Sequence, residues 1–207
     1  MPEEIVKKQE GTYFENLLTY AITLNTLDQN FQPSDGYMNR FSQTLPIISD
    51  DKTIENNFRS SAYHSLTDNL IFSAQLYLNA VNSIDDNVRI SKRVYVPSKR
   101  LRGFESGKIG PKDGTQFIGG NYAAALNLTS TLPNILFENE DIDLNFFLDM
   151  ANVWEVDYNN TLDSNKIRSA TGFAVNWYSP IGPLSFSYAV PLSEAKTDVT
   201  ENFRFQI

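Results

Sequence analysis

Asp149, Glu155 and Asp157 place three carboxyl groups within nine residues, a density at which paired acids can share general acid and base work. They close an alternating apolar run, however, where neighbouring carboxylates form a solvated rim, and Asp141 with Asp143 fits a rim in the same way. The single histidine, His64, lies between Tyr63 and Ser65. One histidine cannot build a His-rich metal centre, and nothing near it resembles a nucleophile elbow, so a structural role is expected. No cysteine is present, which removes thiolate and disulfide chemistry. Gly119-Gly120 opens a strand rather than a phosphate-cradling helix. No catalytic residue, metal or cofactor is expected. The remaining candidate is Arg102, set in Leu101-Arg102-Gly103-Phe104 within a long polar segment. It is either an exposed loop cation or one folded into an interior.

The elements that would position these residues are strands. Across 207 residues, charged residues make up 20% and hydrophobic ones 41%, with a mean hydropathy of −0.33. No run approaches the roughly 18–20 apolar residues of a spanning helix. A spanning β-strand needs only about 9–11 residues, with every second one apolar. The net charge of −8 argues against nucleic acid, which demands a lysine and arginine excess. Residues 1–10 are charged and lack an apolar core, so no signal peptide is visible; for a barrel this implies a missing N-terminal part or an internal start.

Apolar residues recur every second position. Strands are expected over residues 16–27, 37–45, 57–66, 70–78, 120–132, 142–153, 167–178 and 184–192, with a ninth beginning near Asn202. Residues 142–153 set Leu144, Phe146, Leu148 and Met150 against Asn145, Phe147, Asp149 and Ala151. Residues 33–36, 67–69 and 179–183 read as tight turns. Residues 47–56, 82–117, 156–165 and 193–200 read as longer polar segments, the second without clean periodicity. Short turns on one side and long loops on the other are the habit of outer-membrane barrels. The apolar face lacks charge, and Trp154, Tyr158, Trp177 and Tyr178 are placed as an interfacial girdle. A soluble sandwich also alternates, but its outer face would carry many lysines and glutamates; here the polar positions hold mainly Ser, Thr, Asn, Ala and Gly.

The segment Arg102-Gly103-Phe104 through Gly110-Pro111 resembles the sixth extracellular loop of the BamA family of outer-membrane assembly factors, the bacterial surface antigen family. Residues 146–154, 178–189 and 202–207 resemble later strands of that family in the same order, and residues 25–36 an earlier hairpin. The resemblance implies an all-β, antiparallel transmembrane β-barrel: its C-terminal half, about nine strands of a sixteen-stranded barrel, within the even strand numbers of such barrels. One domain over residues 1–207 is expected, with its extracellular loop at about 82–117 and no POTRA domains. Where the family has a lumen-facing glutamate this chain has Thr129, and it stops before the family's terminal aromatic residue.

The resemblance makes Arg102 a structural pin, with Asp149 as its lumenal partner, Gly103 allowing a tight turn and Phe104 packing inside. It makes Phe203, Phe205 and Ile207 the terminal-strand side of a seam. The implied function is insertion of other barrel proteins into the bacterial outer membrane. The implied partners are outer-membrane lipid, client β-barrel proteins and assembly-complex lipoproteins, the last mostly through domains this sequence lacks; no nucleic acid is implied. The alternatives are a transport pore (a porin or two-partner secretion translocator) and the sister translocation and assembly barrel, which shares the loop motif.

Overall fold

The period-two pattern folds into one antiparallel meander. The computed structural model describes residues 9–67, 69–85, 87–133, 142–162, 166–180 and 182–206. Its nine-stranded sheet consists of β1 (Glu15–Asn25), β2 (Gly36–Ser49), β3 (Thr53–Thr67), β4 (Leu70–Ser83), β8 (Tyr122–Pro133), β9 (Ile142–Trp154), β10 (Arg168–Ser179), β11 (Gly182–Ser193) and β13 (Phe203–Gln206), hydrogen-bonded in that order. Four two-residue strands lie outside it. β5 (Gly103–Phe104) pairs with β12 (Thr200–Glu201), and β6 (Lys112–Asp113) with β7 (Gln116–Phe117).

Register sorts every side chain to one of two faces. Along one face, His64, Phe72, Ser130, Phe146, Phe173, Tyr188 and Phe203 lie in successive cross-strand positions from β3 to β13. Among the described residues this outward face carries no Lys, Arg, Asp or Glu within the sheet, while Ile22, Phe146, Phe173, Tyr188, Leu192 and Phe205 stand exposed on it. A lysine or arginine at mid-bilayer would cost about 2–4 kcal/mol there. The opposite, lumenal face holds the charged positions Arg40, Glu55, Arg59, Asp149, Arg168 and Arg204.

The hydrophobic core lies on the lumenal side, where residues 87–121 fold back against the sheet. Val88, Val94, Val96, Leu101, Phe104 and Ile109 of this connection pack on Tyr77, Val81, Ala123, Ala125, Ala151, Val153 and Ala170 of the wall. The segment lacked periodicity because it is built from 3-10 turns at Ile90–Lys92 and Ser98–Arg100 and from the short strand pairs.

Several expectations need correction. Residues 47–56 are mostly strand: β2 runs to Ser49 and β3 starts at Thr53, leaving three residues between them. Residues 33–36 do not form the whole β1–β2 turn, because the connection spans 26–35 and is organised by Asp28, which accepts from the Ser34 hydroxyl and amide. That hydroxyl, more than the backbone donors, holds the Asp28 carboxyl below the usual carboxylate range. Asp143 is no solvated rim residue: it is buried in the lumen and accepts from Gln32. Tyr178 likewise faces the lumen, edge-on to Phe31 at 5.1 Å, so only Trp154 and Trp177 of the expected girdle stand on the outer face. Asp68, Asp141, Ile181 and Ile207 lie outside the described residues.

Gly172 is where sheet geometry leaves no room. A Cβ there would overlap the Tyr188 carbonyl oxygen and come within 2.9 Å of the Phe147 ring. Gly172→Ala is expected to destabilise the barrel by about 1–3 kcal/mol, the usual cost of overpacking. A lower temperature for loss of the compact, fast-migrating band in detergent gels is the check; an unchanged temperature would show that β11 yields freely at this point.

Candidate functional site

Asp149 lies on the lumenal face of β9, opposite Asn127 of β8 and Ala170 of β10. Its side chain is fully buried. The Arg102 guanidinium donates to it twice, Nε to Oδ2 at 2.7 Å and Nη2 to Oδ1 at 2.8 Å. The Arg102 backbone N–H adds a third bond to Oδ2 at 3.1 Å, and Asn127 Nδ2 a fourth to Oδ1 at 2.8 Å. Two parallel charge-assisted bonds fix orientation as well as distance. The guanidinium carbon also lies 3.4 Å from the Phe147 ring centroid, a cation–π contact that favours arginine over any neutral residue.

The surrounding motif explains how a loop backbone comes this close to a strand. Gly103 has φ +88°, and a Cβ on it would meet the Ala170 Cβ at 3.0 Å and the Ala189 Cβ at 3.3 Å. Gly110, at φ +93°, would press a Cβ to 2.8 Å from Val153 Cγ1. Both positions combine a left-handed backbone with contact against the wall, which only glycine meets without strain. Phe104 and Pro111 are buried beside them. Arg100 donates to Gln75 at 2.6 Å and its carbonyl accepts from Asn127; burial, ahead of the neighbouring Arg59, pushes its pKa down. Thr129 lines the polar groove of about 620 Å³ beneath Arg102, with Asn127, Asn145 and Asn176.

Other ion pairs fasten further connections. Asp157 keeps the exposed position expected of a rim, yet its Oδ1 accepts from the fully buried Arg93 side chain at 2.6 Å, while Oδ2 accepts from the Val88 amide and Asn121. Neighbouring Tyr158 donates to Asp113, and burial together with that carboxylate pushes its phenol up to about 12. Glu155 is exposed, and Asp149 and Asp157 are engaged by different arginines, Arg102 and Arg93. Arg168, at the start of β10, pairs with Asp198 at 2.9 Å with both side chains fully buried. His64 stands exposed, 3.4 Å from Asp35. Phe203 and Phe205 lie on the outer face of β13, with Phe205 stacked on Phe186 at 4.8 Å.

A family model for the Omp85 superfamily domain matches residues 2–207. The chain belongs to the Omp85 superfamily. Among curated proteins it is 29% identical to the outer membrane protein assembly factor BamA of Neorickettsia risticii, over 99% of this chain and 28% of that protein. It is 27% identical to BamA of Nitratidesulfovibrio vulgaris, over 98% of this chain and 26% of that protein. The chain therefore spans about a quarter of the length of these relatives. The crystal structure of Haemophilus ducreyi BamA lacking POTRA domains 1–3 superposes with a TM-score of 0.83 at 28% identity, covering 91% of this chain and 41% of that one. The fold is thus that of a part of an Omp85 transmembrane barrel, and the place of such proteins is the bacterial outer membrane.

Within this Omp85 wall, sequence reasoning named Arg102 and Asp149 but gave no role to Asn127, Phe147, Arg168 or Arg204. Alternation had already put Phe147 on the face of Asp149, and the same period over residues 120–132 sets Asn127 with Asn121 and Thr129, so their contact with the pair was readable once Arg102 was placed. Arg204 carried a signal too, as a cation between two outward phenylalanines.

Arg102→Ala leaves Asp149 buried without its cation, a loss of about 3–5 kcal/mol for a broken buried pair. Proteolysis between residues 97 and 114 is expected to accelerate by more than about 100-fold where cleavage follows local opening, with the strands still folded. Asp149→Asn gives a milder increase, and the double variant is less than additive because both remove one contact. Full additivity, or unchanged cleavage in Arg102→Ala, would show that the loop is held by something else.

Proposed function

We propose that this chain forms the wall and docked loop of a BamA-type insertase, which assists folding and insertion of other β-barrel proteins without covalent chemistry. The observation that carries the reading is the loop docked on the lumenal face of the sheet, with Arg102 and Asp149 in bidentate contact beneath it. An apolar layer from Val88 to Ile109 covers the wall where a pore would need water. That arrangement disfavours steady passive transport. The assembly role named for the two relatives agrees with it.

In this reading Arg102, Gly103, Phe104, Gly110 and Pro111 form the loop motif, and Asp149 is its anchor. Lipid contacts the uncharged outer face. Phe203, Phe205 and Ile207 belong to the terminal-strand side of a seam, where a client strand pairs through backbone N–H and C=O groups in the manner of edge-strand addition. Assembly-complex lipoproteins would act mostly through parts of the protein outside this chain.

The test reconstitutes the protein, as its gene encodes it, in vesicles with an unfolded client barrel, and follows client protease protection. Acceleration over bare vesicles is expected, slowed by about tenfold in Arg102→Ala, a loss near 1.4 kcal/mol of the pair's contribution. Conductance across planar bilayers is expected to stay low while the loop is intact. A large steady conductance with no acceleration of client folding would replace this reading with a transport pore.

A further inference from the structure

Arg204 is the cation of β13 and points into the lumen, nine-tenths buried. Its Nε and Nη2 donate to Glu201 at 2.9 and 2.8 Å. Nη1 donates to the Ser98 carbonyl at 2.7 Å, and Nη2 also donates to the Phe104 carbonyl. Those two carbonyls lie on either side of Arg102 in the chain. The loop motif is therefore gripped from two directions, by its own arginine against β9 and through its backbone by the arginine of β13.

The connection between β11 and β13 completes the link. Thr200 and Glu201 pair with Phe104 and Gly103, the Glu105 amide donates to the Val199 carbonyl at 2.8 Å, and the Val199 amide to the Lys108 carbonyl at 3.1 Å. Asp198, at the base of this connection, is tied to β10 by the fully buried Arg168. A continuous chain of polar contacts thus runs from Asp149 through Arg102, Gly103 and Phe104 to Glu201 and Arg204.

We infer that Arg204 is a positioning residue that latches β13 to the docked loop, so that this strand leaves the sheet only when the loop motif releases it. The coupling stands on geometry alone; its use in admitting a client strand rests on the insertase reading above. The Glu201 carboxylate, 43% exposed, contributes less than the two carbonyls, because a solvated ion pair is weak and the carbonyls are reached by a fork that lysine cannot reproduce.

The test is amide exchange on the client-free protein in detergent micelles. Arg204→Gln is expected to raise exchange by about 10- to 100-fold, as for loss of two charge-assisted hydrogen bonds, at residues 203–206 and also at 98–105. Arg204→Lys should restore part of the protection at both segments, and Glu201→Gln should change each by less than about threefold. The effects of Arg204→Gln and Arg102→Ala at residues 98–105 should be less than additive. Exchange that rises only at residues 203–206, or at neither segment, would overturn the latch. So would a loss in Glu201→Gln as large as that in Arg204→Gln. Because no client enters this measurement, coupled exchange in a protein that fails to accelerate client folding would sink the insertase reading and leave the latch standing.

Discussion

An arginine folded inside a strand-walled lumen must find a carboxylate, and the geometry of this protein's interior follows from how Arg102 meets Asp149. Four hydrogen bonds converge on that carboxylate, three from Arg102 and one from Asn127. They fix the loop in rotation as well as distance, which apolar contact cannot do. Burial of Leu101, Phe104 and Ile109 supplies the attraction; the ion pair selects one docked arrangement among many greasy ones. A buried ion pair by itself is weak support for stability, so its presence here is better explained by specificity.

The wall answers a different constraint. In hydrocarbon every backbone N–H and C=O must be satisfied within the protein, and the meander does this strand by strand between its two edge strands, β1 and β13. The same alternation that removes charge from the outer face collects Asn, Ser and small residues inside. Ala170, Gly172, Ala174 and Ala189 make a shallow seat on β10 and β11, and Gly103 rests against it. Large residues at those positions would hold the loop off the wall and lengthen the reach Arg102 must make.

Much of this was legible in the sequence because a period of two survives any loop insertion. The strands from Tyr122 onward fell within a few residues of their observed bounds, and alternation alone set Asp149 inward. What failed had a common cause. Asp143, Asp157 and Tyr178 were judged from their sequence neighbours, yet the partners that hold two of them are remote: Gln32 lies 111 residues from Asp143, and Arg93 lies 64 from Asp157. Residues 47–56 looked like loop because lumen-facing strand positions are polar, so strand and loop share a composition there. The interior of residues 87–121 had no period to read, since 3-10 turns and two-residue strands repeat nothing.

The distribution of cations shows how these constraints combine. Arg93, Arg102 and Arg168 each join a connecting segment to another element through a carboxylate, with Asp157, Asp149 and Asp198 as the partners. None of these pairs is close in sequence, so each can form only after the strands have registered. The pairs therefore act as checks on a sheet already assembled, and cannot nucleate it. Arg204 differs in that two of its acceptors are backbone carbonyls of the loop. A carbonyl offers an acceptor wherever the chain passes, whatever its side chain, but only in the docked conformation do Ser98 and Phe104 present theirs together. Side-chain pairs decide where the connections sit; the β13 arginine then senses whether the loop has reached its place.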